Sequence, residues 1–536
     1  MKYSKQKGYD FVSLTEPGFI KDTLKVGEPM MPIKTIRVLL PSGTDVTNIK
    51  IVSTKEKLLG GEYYIYPIQY PVVVGSQYEK KFVKPKKEIY MSNENYPGLQ
   101  PAFQSANYFR EYLIAEILIY PLQYNPSQRK LTLITEISFE IEYSVTSKYQ
   151  STPRLRINEK KQNEIKERLK HLIVNPEDIT STTDLPKNRK VNTQALSITS
   201  TPSAIEGQDV EYIIITNDAL TSSFQRLADW KTKKGIVTAI KTVSWIIENY
   251  SGCDTQEKIR HFIQDAYIKW GTEYILLGGD VDIIPGRINS GQKADGVPII
   301  TDLYYSAIDP ISDNWNANGN DKFGEEPQTD PIIILDDDAD YTADIWVGRV
   351  SARNSSDVSV FIDKVFTYER NSLAPGNLPA TDYLTKFLSL GGIIYELYDE
   401  SDPPVFIAYW WYSGIWAKEQ INNNFIPTSF THLKMYESHW DFDAHFGTNF
   451  TRDEVLNSTN AISKINEGYG IVNHIDHSNQ YVMGLGARTN GGLLTINGVD
   501  NLENGNQYFI AISGGCSPGA FDYDCIGEHL VLKNNG

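Results

Sequence analysis

Cysteine is scarce: Cys253, Cys516 and Cys525 are the whole supply in 536 residues. Disulfide frameworks need many cysteines in a short chain, so none holds this fold together, and at least one thiol is left over. Cys516 and Cys525 flank a turn and could pair, but their spacing does not require it. Long apolar runs are missing too. No stretch approaches the roughly 18 residues of a membrane span. Met1 is followed by Lys and Tyr, not by a signal-peptide pattern, so either the chain is cytoplasmic or its leader lies outside this sequence. Hydrophobic residues at 40% and charged residues at 22% exclude a disordered or collagenous chain. At about 150 residues per domain the length calls for about three units.

The net charge of −16 is unevenly spread. Residues 1–200 carry 29 Lys and Arg against 21 Asp and Glu, net +8, and residues 201–536 carry 22 against 46, net −24. The basic part is long and reads as folded strands with Glu interspersed, which argues against a nucleic-acid arm. Two mutually attracting halves of one molecule fit better.

From Gly8 to Val145, β-branched and aromatic residues come in short runs broken by Pro, Gly and Asn. Between Leu131 and Ile141 apolar positions alternate, which predicts antiparallel strands with one wet face in a sandwich or barrel. Asn158 to Val174 switches to helical spacing, with Ile165, Leu169 and Ile173 four apart. The Ser, Thr, Asn, Pro and Lys-rich stretch that follows reads as a linker, its Lys187 to Lys190 patch open to proteolysis.

Past residue 208 continuous apolar strands alternate with amphipathic helices. Strands are expected at 211–216, 236–240, 274–277, 345–347, 383–390, 470–475 and 508–513, and helices at 222–234, 254–270, 358–370 and 452–466. Such a pattern predicts a mainly parallel sheet covered on both faces, with chemistry beyond the carboxyl ends of its strands. The boundaries follow: a β-rich unit with a closing helix over 1–178, a linker over 179–207, and α/β parts over 208–375 and 376–536.

Two strand ends stand out. Gly470-Ile-Val-Asn-His-Ile-Asp-His477 delivers an imidazole, and Tyr508-Phe-Ile-Ala-Ile-Ser-Gly-Gly-Cys516 delivers a thiol. A thiol needs a neighbouring base to act as a nucleophile at neutral pH, and adjacent parallel strand ends supply two rigid supports. Gly514 and Gly515 would permit a sharp turn that leaves backbone N–H groups facing a developing oxyanion. The bland reading of Cys516 is a small buried hydrophobe, and Cys525, before a helix start, reads as packing. His474, Asp476 and His477 read as a metal cluster only if the strand has already ended, since residues three apart on a strand face opposite ways.

These two strand ends, with Tyr274-Ile-Leu-Leu-Gly-Gly-Asp-Val-Asp-Ile-Ile-Pro285, Asp302-Leu-Tyr-Tyr305 and Ala343-Asp-Ile-Trp-Val-Gly-Arg349, resemble the gingipain family of cysteine peptidases. Gly27-Glu-Pro-Met-Met-Pro32 and Leu39-Leu-Pro-Ser-Gly43 resemble the propeptide of that family. The resemblance implies an all-β propeptide before a caspase-like α/β catalytic domain, with His477 as general base, Cys516 as the nucleophile that forms a thioester, and the propeptide as intramolecular inhibitor. The family shows Gly-His-Gly at the base where this chain has Asp476-His477-Ser478. Some members orient the imidazole with a Glu where this chain reads Gly391-Gly392, leaving Asp476 as a weak candidate for third member. Asp402 falls where members selecting basic residues place an acidic pocket residue, against a solvated loop carboxylate as the bland reading. The family continues past the position of Gly536, so a truncated chain is expected.

Asn316, Asn318, Asn320, Lys322 and Glu325, with Gly319 at the bend, reproduce most of a calcium-loop pattern, weakened by Asn in place of Asp. An Asn/Gly-rich turn is the alternative, and the family's use of calcium favours the metal. Asp336 to Asp340 reads as a solvated acidic loop able to contribute a ligand. The expected function is a secreted or surface endopeptidase zymogen, cut at the linker, acting on proteins or peptides. The alternatives are a sortase-like transpeptidase and a calcium-stabilised adhesin whose site has decayed. The charge split adds the expectation that the propeptide's hold loosens with salt.

Overall fold

The computed structural model describes residues 2–6, 8–14, 18–21, 25–69, 82–146, 159–179, 209–294, 297–308, 315–325, 337, 339, 341–392, 394, 396–398, 406–408, 414–437, 451–484 and 492–533. The expected linker beyond Ile179, and Asp402, lie outside the described residues.

After a short hairpin, the N-terminal part forms two antiparallel sheets. One has the order β1-β2-β5-β4, from β1 (Phe19–Lys21), β2 (Pro32–Leu40), β4 (Ala102–Phe109) and β5 (Tyr112–Ile119). The other has the order β3-β7-β6, from β3 (Thr44–Leu58), β6 (Leu122–Asn125) and β7 (Lys130–Val145). Val38, Leu40, Leu113, Ala115 and Ile117 of the first sheet pack with Ile49 of the second, with Phe139 and Ile141 at the margin. The expected strict alternation along β7 fails, since Leu131 and then Ile134 are buried, three apart. A register shift opposite Lys55 and Glu56 inserts the extra residue that moves the next side chains to the other face. Helix α1 (Glu159–Lys170) docks Ile165 and Leu169, with Ile173 beyond it, on Leu39 and Tyr112.

The expected parallel sheet is two sheets. The first has the order β9-β8-β10-β11, from β8 (Tyr212–Thr216), β9 (Thr238–Thr242), β10 (Tyr274–Gly278) and β11 (Trp346–Val350), all parallel. Alternate strand residues feed two cores. Ile213, Ile215, Ile275 and Leu277 meet Ile259, Phe262 and Ile263 of α3 (Thr255–Trp270) on one face. Ile214, Leu276 and Val350 meet Phe224 and Leu227 of α2 (Thr221–Lys233) and Val358, Ile362 and Phe366 of α4 (Ser355–Tyr368) on the other. Burial on both faces is why β8 and β10 read as unbroken apolar runs.

The second sheet has the order β14-β13-β12-β15-β16, from β12 (Lys386–Gly391), β13 (Thr431–Tyr436), β14 (Glu454–Val455), β15 (Ile471–Ile475) and β16 (Ile510–Ser513). Leu388, Leu390, Met435 and Val472 pack on Ala461 and Ile465 of α6 (Ser458–Asn466). That helix starts later than its spacing implied. Glu454 and Val455 pair with Met435 and Tyr436 at the sheet edge, and Asn457 then caps the helix through Asn460 N–H at 2.8 Å. The opposite face is covered by α5 (Gly414–Asn424) through polar groups. The Ser389 hydroxyl bonds Asn422 Oδ1 at 2.9 Å, Asn422 donates to Tyr436 OH at 3.0 Å, and buried Lys418 donates to Asn473. Helix α7 (Ile526–Leu532) closes the described chain. No helix among the described residues is long and apolar enough to cross a membrane.

Candidate active site

β15 and β16 lie side by side in parallel, with Ile471 opposite Ile510 and His474 opposite Ser513. The ladder runs one step further, where Gly514 N–H donates to the His474 carbonyl at 2.8 Å. Three residues past the His474–Ser513 pair come His477 on one strand end and Cys516 on the other. Cys516 is a free, exposed thiol and His477 is half-buried.

The glycines before the thiol serve space, not backbone twist. The left-handed residue of this loop is Ser517, with φ 60°, whereas Gly514 and Gly515 keep ordinary conformations. A β-carbon on Gly515 would collide with Ser478 Oγ, and one on Gly392 would collide with the Asp476 carboxylate. The turn was expected to leave backbone N–H groups facing an oxyanion; Gly514 N–H is instead in the ladder, and Gly515 N–H donates to Ser513 Oγ at 3.2 Å.

His477 Nε2 lies 2.7 Å from the carbonyl oxygen of Ile394, just beyond β12. A carbonyl only accepts, so Nε2 carries a proton there, and Nδ1 is the nitrogen whose lone pair is used when the ring acts as a base. This backbone partner had no signal in the sequence. Asp476 instead accepts from the backbone N–H of His477 at 2.7 Å and so shapes the loop. Burial pushes its carboxyl up to about 7, while that N–H pulls the other way. His474 is fully buried, its Nδ1 3.0 Å from Ser513 Oγ, and burial, with Lys418 nearby, pushes it down to about 3. It is a neutral core residue.

Cys525 is buried, as expected for packing, and all three cysteines are free, so Cys516 and Cys525 are not bridged. Cys253 is exposed on the first α/β unit, its thiol pushed up to about 11 by burial and by Glu257 and Asp254.

In the loop after buried Trp315, the amides of Asn318 and Asn320 donate to Glu325 Oε2 at 3.1 and 2.6 Å. Asn316 Oδ1 accepts from Asp321 N–H at 3.1 Å, and Asn320 Oδ1 accepts from Lys322 N–H at 2.8 Å. Lys322 is exposed and enters only through its backbone. Glu325 N–H donates to Asp337 Oδ2 at 3.0 Å, and both carboxylates are buried. Asp337 comes from the acidic run read as solvated, and its Oδ1 has no hydrogen-bond partner among the described residues. No group of three or more His, Cys, Asp and Glu converges as a metal site among those residues.

The N-terminal unit meets the first parallel sheet at the amino ends of its strands. Arg110, in the left-handed conformation between β4 and β5, pairs with Glu273 at 2.5 Å, and both side chains are buried. Lys161 and Arg168 of α1 lie over the rings of Tyr274 and Trp346, the first residues of β10 and β11, at 5.5 and 5.7 Å.

An antiparallel β unit thus precedes an α/β part that carries an imidazole and a thiol just past adjacent parallel strands. The chain belongs to peptidase family C25: that family's model matches residues 205–536, and the Propeptide_C25 model matches residues 5–182. It is similar to gingipain R2 of Porphyromonas gingivalis, 25% identical over 358 residues, which is 64% of this chain and 38% of that protein. It is also similar to Lys-gingipain W83 of the same organism, 23% identical over 542 residues, which is 99% of this chain and 26% of that protein. The chain therefore spans well under half the length of these curated relatives. A crystal structure of the Arg-specific cysteine proteinase gingipain R (RGPB) aligns over 61% of this chain and 60% of its own, at 21% identity and a TM-score of 0.40.

Proposed function

We propose that the chain is a cysteine endopeptidase zymogen in which Cys516 is the nucleophile and His477 the base. The observation that carries this is the register of β15 and β16, which brings an imidazole and an exposed thiol to matching positions past paired residues. Membership of family C25 supports the reaction class.

In this reading the Cys516 thiol gives its proton to His477 Nδ1, and the sulfur attacks the carbonyl carbon of the scissile peptide. The oxyanion is met by the backbone N–H of Cys516 itself, since those of Gly514 and Gly515 are engaged. The carbon–nitrogen bond breaks as the imidazolium returns its proton to the leaving amine, leaving a thioester that water resolves. The Ile394 carbonyl keeps the other ring proton on Nε2 throughout. No carboxylate is needed to hold the tautomer.

Residues 1–178 act as the propeptide and inhibit the catalytic part, docked through Arg110 and α1, with removal in the 179–207 linker; the propeptide family match supports this. The enzyme acts on protein or peptide substrates outside the cell or at its surface. Calcium belongs to the 315–325 loop, with the carboxylates of Glu325 and Asp337 and side-chain oxygens of Asn316, Asn318 and Asn320 as its oxygen donors. Bound there, it would offset two adjacent buried carboxylates, and Asp337 Oδ1, which has no hydrogen-bond partner among the described residues, fits that role.

The test is peptide hydrolysis by the full chain and its Cys516→Ala variant, each after removal of residues 1–178 by cleavage in the 179–207 linker, with products analysed in the presence of an added amine. Loss of hydrolysis in the variant is expected, and retained hydrolysis overturns the assignment. Amine-linked products in place of acids would convert the endopeptidase into a transpeptidase using the same dyad.

A further inference from the structure

Arg353 follows β11 on the first sheet and is half exposed. Its guanidinium reaches three carboxylates: Nε to Asp280 Oδ2 at 2.6 Å, Nη2 to Glu528 Oε2 at 3.2 Å, and Nη1 to Asp524 Oδ1 at 3.8 Å. Asp280 opens the turn after β10, its carbonyl accepting from Ile283 N–H at 2.9 Å, and the Arg353 backbone N–H is held by Asp357 at 2.8 Å, so the arginine is fixed to the first sheet from both sides. Asp524 and Glu528 flank the start of α7 and belong to the second unit.

Helix α7 is shared. Ile526 and Leu530 pack into the second sheet's core, while Val531 and Leu532 pack against the first. Its first turn also holds both loops of the candidate site. Ile526 N–H donates to the Gln480 carbonyl at 2.8 Å, three residues beyond His477. Gly527 N–H donates to the Pro518 carbonyl at 2.9 Å, two residues beyond Cys516. Gly527 has no room for a side chain, because a β-carbon would sit 2.9 Å from that Pro518 oxygen.

We infer that Arg353 is a positioning residue for the Cys516–His477 pair: it clamps the first turn of α7 to the first sheet, and that turn keeps the two loops in register. Phe521 gives the thiol loop a second rest on the same sheet. Its ring lies 4.5 Å from the guanidinium carbon of Arg349, which is itself paired twice with Asp302 at 2.7 Å. A loop with a left-handed Ser517 next to its thiol needs such external anchors, since strained backbone persists only where its surroundings over-determine it. The inference rests on the dyad reading above.

The experiment uses the full chain with Arg353→Gln and Arg353→Lys. It reads the rate of Cys516 alkylation by iodoacetamide, with Cys253 in the same sample as control, together with kcat and KM. In Arg353→Gln, Cys516 alkylation and kcat should fall by roughly tenfold or more, as for small misplacements of reacting groups, while the Cys253 rate and KM hold. Arg353→Lys should recover part of the loss, because an ammonium cannot span Asp280 and Glu528 as the fork does. An unchanged Cys516 alkylation rate in Arg353→Gln overturns the inference, whatever kcat does. If that variant does not fold, Arg353→Lys carries the test: a rate below wild type is expected, and a wild-type rate overturns the proposal. Hydrolysis retained in Cys516→Ala would defeat the nucleophile assignment itself, whereas its loss beside an unchanged Arg353→Gln defeats this inference alone.

Discussion

Ser478 stands where a side chain on Gly515 would have to go. The same holds for Asp476 and Gly392, so the two residues flanking His477 are each accommodated by a glycine on a facing segment. Gly515→Ala should separate the two loops, costing about 1–3 kcal/mol of stability as overpacking does and lowering kcat. Adding Ser478→Gly should restore much of both, since it removes the hydroxyl that the new methyl meets. Thermal unfolding and peptide hydrolysis of the single and double variants check this.

Asp476 makes stability depend on pH. Its folded carboxyl is raised from 3.8 to about 7 by burial, so the folded state holds its proton where the unfolded chain has lost it. The cost of ionising it begins near pH 4, grows as pH rises to about 7, and then levels off. Asp476→Asn should therefore leave stability near its wild-type value at pH 4 and raise it progressively towards pH 8. The gain is on the order of 4 kcal/mol at most, for a carboxyl raised from 3.8 to about 7. Asn can still accept from His477 N–H. Denaturant midpoints at pH 4, 6 and 8 read the trend, and a gain independent of pH would contradict it.

The uneven charge of the two halves led to an expectation of salt-sensitive docking. Arg110 and Glu273 alter its strength, because a buried pair is screened far less than a surface one. Docking should weaken only modestly with ionic strength. Arg110→Ala should weaken it strongly, since stranding one partner of a buried pair costs about 3–5 kcal/mol. The share of propeptide that co-elutes with the catalytic part after cleavage in the linker, across salt concentrations, measures both effects.

Chelation tests the 315–325 loop. EGTA should lower the melting temperature of the full chain, added calcium should restore it, and Asp337→Asn should reduce the response. A melting temperature indifferent to calcium and EGTA would return the loop to an Asn/Gly-rich turn held by its own hydrogen bonds.

Much of the α/β part was legible because β8, β10 and β12 are buried on both faces and announce themselves as apolar runs; the strand ends that carry His477 and Cys516 were legible from apolar runs too, although Ile510 and Ile512 of β16 are exposed. What escaped needs partners distant in sequence. The division into two sheets depends on which strands pair, and the Ile394 carbonyl contributes a backbone atom that no residue type signals. Asp337 looks solvated in an acidic run until Glu325 N–H is found against it. The chain does bend over 515–517 as the glycines suggest, but its left-handed residue is Ser517, and the size of Gly515 answers to Ser478.

The central claim is that His477 activates Cys516. Its most direct test is the alkylation rate of Cys516 in the wild-type chain and in His477→Gln. Cys253 alone is too lenient a reference, because its thiol is pushed up to about 11 and is expected to react slowly for its own reasons. The account predicts that His477→Gln slows Cys516 by about tenfold or more, within reach of losing a positioned base, and leaves Cys253 unchanged. An equal Cys516 rate in the two proteins would contradict it.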